Sequence, residues 1–404
     1  MTNLGPSPMS FKSRASSIQK LRGMVRERMA NGSSFDEIVR VGRCLQPTNP
    51  KDATSLVFKG SLMHNTVFGK IVWRKVNRKG GANTERKLME NELEGAVNCG
   101  LTPCMPLRYS SIEIDYKTFM QTEMFRSVNG FMKEGGRRRP SDHTLHFMLM
   151  EDCGDTTLSS FLNSEGPATD IHAVIFMLFH ALSWLRLMGI SHNDLHGSNV
   201  ILRTIEPTCV SFGNCKFVTS TLPYIIDWDL GRSNRVKNSN LVNYNHVGIF
   251  DSYNALFDTM GLTKTIFWTN RHARNPRCRA KSTEFGKVIR VLAKVFQPLT
   301  AKHPWIFNED LVITGDDGKV DRLSTVEQTP YVPDLRTGRA QRKWPTSVAR
   351  DAPTLHEITE AIYADADKTA SHSTADFSFP PTALENQTSL RRSRSPPTPT
   401  PVTP

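Results

Sequence analysis

The stretch Ile190 to Leu202, ISHNDLHGSNVIL, constrains this chain more than any other. It sets a polar turn between two apolar runs. The run before it, Asp170–Met188, has the periodicity of a long buried helix ended by Gly189, and the run after it reads as a strand. A turn pinned between two buried elements holds its side chains in fixed positions. His192, Asp194 and Asn199 sit there, with the aspartate and asparagine five residues apart. That spacing lets one loop present a proton acceptor and a metal-binding amide toward one point. The plainer alternative makes Asp194 a turn residue and His192 a packing residue.

A second apolar run, Leu222–Ile226, reads as a strand that delivers Asp227 at its end. A carboxylate at the mouth of a strand is well placed to hold Mg²⁺, which prefers oxygen ligands. Asp229 is either a second ligand or a turn residue, and the turn is the favoured reading.

Around these two sites the chain divides by texture. At roughly 100–200 residues per domain, 404 residues leave room for two or three domains. Residues 1–35 are basic and rich in Ser, Arg and Met, and read as a flexible tail holding at most one short basic amphipathic helix on Ile18, Leu21, Val25 and Met29. From 36 to 151, short runs rich in β-branched and aromatic residues predict strands at Ser55–Lys59, Lys70–Val76 and His146–Met150, with a charged helix over Thr84–Cys99. From 152 to 310 the periodicity turns helical, at Thr156–Leu162, Asp170–Met188, Val247–Met260 and Thr283–Phe296. Residues 311–404 end in RRSRSPPTPTPVTP and read as mostly disordered. The expected fold is α+β, with a small sheet-rich lobe followed by a larger helical one.

Composition removes several classes. The most apolar window, Ile171–Ile190, contains His172, His180 and Arg186 and falls short of a spanning helix. The first residues have no apolar core of signal-peptide type. The seven cysteines are scattered, odd in number and form no C-x-x-C pair, which argues against a disulfide framework or zinc knuckle and for a reducing, intracellular location, cytoplasmic or nuclear. Net charge is +12, and residues 1–40 carry seven basic against three acidic side chains. Such charge attracts nucleic acid or acidic partners weakly, but no interleaved aromatic residues are present to stack bases.

The two sites together resemble a family. H-N-D-L-H-G-S-N resembles the protein-kinase catalytic loop H-R-D-L-x-x-x-N, with His192, Asp194 and Asn199 in register, and I-I-D-W-D resembles the family's metal-binding D-F-G. The interval of 28 residues from Asn199 to Asp227 is longer than usual, which an inserted turn around Thr208–Lys216 explains. The resemblance implies a bilobal kinase-like fold and an ATP- and Mg²⁺-dependent transfer of phosphate to a hydroxyl, most simply Ser or Thr of a protein substrate. It assigns Asp194 as the proton acceptor, Asn199 and Asp227 as metal ligands, and Lys75, from Val72-Trp73-Arg74-Lys75, as the lysine on the phosphates. Glu92, chosen over Glu90 and Glu94, is its carboxylate partner. Met150 becomes the gatekeeper of an adenine site, with the backbone of Glu151 and Cys153 available to the base, and Gly42 is what remains near the phosphate-covering loop. Phe250-Asp251 resembles the buried helix whose aspartate braces the catalytic loop.

The match departs from the family at several points. No G-x-G-x-x-G is present, so the backbone approaches phosphates less closely, and a silent pseudokinase scaffold is one alternative. Asn193 stands where many protein kinases have an arginine that pairs with a phosphorylated loop. No A-P-E follows Asp227, and His196 replaces a common lysine. The D-L-H form is shared with haspin-like and viral kinases, where a host-cell or virion location applies, and with aminoglycoside and choline phosphotransferases. A small-molecule kinase is therefore the other alternative.

Overall fold

The computed structural model describes residues 11–45, 55–63, 65–72, 87–88, 92–93, 104–126, 144–163, 170–238, 241, 256–272, 279–302, 307–314, 320–326, 351–366 and 376–379. Within these the chain is mixed α+β, and its apolar side chains gather into two main clusters. The smaller cluster is organised by one antiparallel sheet. Its strands are β1 (Val39–Leu45), β2 (Ser55–Leu62), β3 (Asn65–Val72), β4 (Arg108–Asp115) and β5 (Thr144–Glu151), in the order β1-β2-β3-β5-β4.

Strand β3 lies at the centre, and its alternation decides what each face sees. Val67 and Ile71 point into the sheet's own cluster with Phe58, whereas Phe68 joins the larger, helical cluster with Met150 opposite it. Gly69 is required between them, because a Cβ there would lie 2.2 Å from the Phe58 ring. Lys70 shares its face with Phe68, two residues away, and is 4% exposed.

Helix α1 (Phe11–Ala30) covers this sheet by setting Leu21 and Val25, one turn apart, into its cluster. Arg22 Nε donates to the carbonyl oxygens of Arg108 and Tyr109 at 2.9 and 3.2 Å. Much of the expected flexible tail 1–35 is thus a helix docked on β4, because two apolar residues at helical spacing outweigh the polar composition around them. Short helices α2 (Phe35–Ile38) and α3 (Tyr116–Met120) flank the sheet, and Phe35 packs on Phe147 with ring centroids 4.8 Å apart.

After the two-residue strand β6 (Thr156–Thr157) and helix α4 (Leu158–Asn163) comes α5 (Ile171–Leu187), which is buried from Ile171 through Leu185. A helix apolar on all sides belongs at the centre of a core. The polar turn follows it, then a long antiparallel hairpin of β7 (Val200–Phe212) and β8 (Cys215–Ile225), turned at Gly213 with φ 61°. This hairpin is the expected insertion between Asn199 and Asp227. It is larger than a turn, and it brings both ends back together at its base.

Helix α7 (Arg279–Lys302) extends the helix expected over 283–296, whereas α6 (Phe257–His272) overlaps the helix expected over 247–260 only at 257–260, and 247–255 lie outside the described residues. Strands β9 (Phe307–Thr314) and β10 (Val320–Val326) pair as a hairpin. Helix α8 (Leu355–Asp365) opens with a capping box between Thr354 and Glu357 and buries Leu355, Ile358, Thr359 and Ile362. Strand β11 (Asp376–Phe379) adds in parallel to β7. Placing the end of folded chain at 310 therefore needs correction: α8 has an apolar stripe at i, i+3 and i+7 that packs into the larger cluster beside α5. The expected helix over 84–99 is described only at 87–88 and 92–93.

Candidate functional site

The base of the β7–β8 hairpin builds the site. Val200 pairs with Ile225, and the Ile226 N–H donates to Asn199 O at 2.9 Å, so the residues just outside the two strands are neighbours. Asn199 thereby stands beside the turn that carries Asp227. Asp227 has φ 64° and ψ 66°, a left-handed conformation that turns its side chain out of the strand direction. Its Oδ1 lies 2.6 Å from Lys70 Nζ, and Asp229 Oδ1 lies 3.5 Å from the same ammonium. A lysine from the sheet thus meets two carboxylates from the helical cluster.

His192 organises the other turn. Its ring is buried, and burial holds its pKa below the usual imidazole value. A neutral ring carries one proton, and the contacts fix where it sits. Nδ1 accepts the Asp194 N–H at 3.2 Å, so the proton is on Nε2, which donates to Ile226 O at 2.8 Å. The backbone N–H groups of His192 and Asn193 donate to the two oxygens of Asp258 at 2.7 and 2.8 Å. Asp258 comes from the first turn of α6 and is buried, which raises its pKa against the opposing pull of His192 and those two N–H groups.

Asp194 is half-buried. Desolvation pushes its pKa up to about 6; His196 opposes the rise, Asp227 and Asp229 add to it, and the Asn199 amide opposes it. Asn199 Nδ2 donates to Asp194 O at 2.8 Å and to Asp194 Oδ2 at 3.2 Å. The amide so oriented presents Oδ1 as its remaining acceptor. His196 Nε2 stands 3.8 Å from Asp194 Oδ1, while its Nδ1 accepts the Ser198 N–H at 3.2 Å.

Of the residues singled out from sequence, His192, Asp194, Asn199 and Asp227 come together. Lys75 lies outside the described residues, and the lysine that meets Asp227 is Lys70. Glu92 Oε1 accepts from Ser233 Oγ at 3.2 Å, and its expected partner Lys75 lies outside the described residues. Asp229, read as a turn residue, also faces Lys70. Asp251 lies outside the described residues, and the carboxylate that braces the polar turn is Asp258, from the second Phe-Asp pair of the same stretch.

The strand-to-helix connection after β5 passes nearby. Met150 is 7% exposed and lies opposite Phe68 on the neighbouring strand. Glu151 is buried: its N–H donates to Leu107 O at 2.9 Å, its Oε1 accepts the Leu107 N–H at 2.7 Å, and its carbonyl accepts from Cys153 Sγ at 3.3 Å. The expected backbone contact to a base at Glu151 is therefore confined to the carbonyl. Lys59 of β2 pairs with Asp152 at 3.0 Å and Asp155 at 2.7 Å, tying this connection to the sheet. Gly42 occupies a β-bulge in β1, where the register to β2 shifts between Val41 and Arg43.

Chemically, the site offers one buried ammonium, three carboxylates and one amide oxygen. The carboxylates and the amide oxygen are hard donors suited to a divalent cation, and the ammonium is suited to phosphate oxygens. Among the described residues no three His, Cys, Asp or Glu side chains gather closely enough to hold a metal by themselves. No protein-family model matches the sequence, and no curated protein matches it. No described helix is long and apolar enough to cross a membrane.

Proposed function

We propose that the chain is an ATP-dependent phosphotransferase with a divergent, bilobal protein-kinase-like fold, acting on a hydroxyl, with Ser or Thr of a protein as the substrate class. The observation that carries this reading is the meeting of Lys70 from the sheet with Asp227 from the hairpin base at 2.6 Å, beside the Asp194–Asn199 pair. Phosphoryl transfer through a loose transition state needs positioning and charge stabilisation more than covalent help from the protein. The groups present match those needs.

Lys70 grips the nucleotide phosphates, moving from Asp227 to them. Asp194 receives or orients the hydroxyl proton, which its ionised form can do, and Asn199 Nδ2 keeps its carboxylate aimed. Asn199 Oδ1 and Asp227 are the residues that would hold Mg²⁺, which when bound supplies neutralisation of phosphate charge. His192 holds the backbone of both turns through one neutral ring. Met150, the Glu151 carbonyl and Cys153 border the space for the base.

Incubating the full chain with γ-labelled ATP and Mg²⁺ against casein, histone, an aminoglycoside and choline tests the proposal, with Asp194→Asn and Asp227→Ala alongside. Label on protein, lost in both variants, is expected. Label on a small molecule alone moves the substrate class, and ATP binding with no transfer by wild type overturns the enzyme reading.

A further inference from the structure

We infer that Asn193 is a positioning residue: its side-chain amide couples the turn bearing Asp194 to the turn bearing Asp227, and so sets the two carboxylates relative to each other. Its kinetic consequence rests on the phosphotransferase reading, while the coupling itself does not. Asn193 is 3% exposed and has φ 64°, a left-handed conformation that a residue with a Cβ adopts at a cost and that asparagine tolerates better than most. Its Nδ2 donates to Leu230 O at 2.9 Å, inside the short helical turn Trp228–Leu230 that follows Asp227.

Three successive residues reach across to that segment. Ser191 exchanges two backbone hydrogen bonds with Arg232, at 3.0 and 2.9 Å, and His192 Nε2 reaches Ile226 O. Asn193 supplies the fourth bond, and its acceptor Leu230 lies in sequence between Ile226 and Arg232. Both turns hold a non-glycine residue at φ 64°, Asn193 in one and Asp227 in the other. Strained turns of this kind persist only when their surroundings over-determine them. Asn238 Nδ2 fastens the same segment from its far side, donating to Asp229 O at 2.8 Å and Gly231 O at 2.9 Å. The amide of Asn193 is the clamp on the near side, one residue from Asp194.

Two variants separate the amide from the backbone it sits on. Asn193→Gly keeps the left-handed turn and deletes the amide. Asn193→Asp keeps the shape but sets an acceptor against the Leu230 carbonyl. In both, amide hydrogen exchange over residues 227–232 is expected to rise about tenfold or more, with protection of 171–187 unchanged. In the same variants kcat is expected to fall on the order of tenfold to a hundredfold while the nucleotide Kd holds. Unchanged exchange at 227–232 overturns the coupling, as does a rise that spreads through 171–187. Raised local exchange with unchanged kcat overturns the catalytic consequence. A wild-type protein that transfers no phosphate overturns the phosphotransferase reading, and the exchange result still decides the coupling.

Discussion

Lys70 and Asp227 meet at 2.6 Å across 157 positions of sequence, the lysine almost buried and the carboxylate 43% exposed. This pair joins the central strand of the sheet to the base of the β7–β8 hairpin. An ammonium taken out of water needs a compensating charge, and among the described residues Asp227 and Asp229 contribute to it. The arrangement directs Lys70 at the place where the proposed phosphates bind.

Lys70→Met is therefore expected to lower phosphate transfer on the order of 10²-fold, as loss of one charge-stabilising donor does elsewhere. Folding survives, because methionine fills the same volume and Asp227 is left with access to water. Lys75→Met is expected to stay near wild type. Steady-state transfer of label from ATP distinguishes them, and equal losses in the two variants would count against the assignment of Lys70.

The pH dependence follows from Asp194. A proton acceptor must be ionised, so kcat/KM is expected to rise with pH through about 6, where burial has moved this carboxyl. Asp229→Asn removes one of the like charges that raise it, and the midpoint then moves down. Stability runs the opposite way. With a folded value above the ordinary 3.8, the native state holds more protons than the unfolded state between about 4 and about 6. The contribution of Asp194 to stability accordingly falls as pH rises through that window. A pH–rate profile with no limb near 6 would remove Asp194 from the role of base.

The polar turn and Asp227 were legible in the sequence because each lies within a dozen residues, between apolar runs whose periodicity is itself local. The lysine that meets Asp227 was not, because V-x-x-K fits twice: Val67-Phe68-Gly69-Lys70 and Val72-Trp73-Arg74-Lys75, the latter outside the described residues. Lys70 stands on the same face of a central strand as Phe68, and this depends on which strands pair. The bracing aspartate was missed for a similar reason, since HVGIFDSYNALFDTM holds two Phe-Asp pairs and only the packing of α6 selects the second. The stripe of α1, Leu21 with Val25, was legible as a short amphipathic helix though not its length, while that of α8, Leu355 with Ile358 and Ile362, is set in a segment whose overall polarity pointed elsewhere.

Asp258 gives a stability prediction. Each carboxylate oxygen accepts one backbone N–H from the polar turn. Asp258→Asn can accept only one of them and turns an NH₂ group toward the other. A buried donor left unsatisfied costs about 1–3 kcal/mol, so urea unfolding of this variant is expected to show a loss in that range. A wild-type unfolding curve from Asp258→Asn would mean the two N–H groups find other partners.

Helix α8 provides the last test, because it bears on where the folded chain ends. Ile358 is fully buried in the larger cluster, and α8 packs against α5 and α7. Near it, Tyr363 meets Phe217 at 5.4 Å between ring centroids, and β11 pairs with β7, so this region of the chain braces the hairpin whose base holds Asn199 and Asp227. Ile358→Ala opens a cavity in that contact and is expected to cost about 2–5 kcal/mol, visible as a lower urea midpoint with an unchanged slope. His356→Ala, at a half-buried position two residues away on the same helix, serves as the comparison and is expected to cost less. If Ile358→Ala unfolds at the wild-type midpoint, α8 is an appendage and the core ends before it.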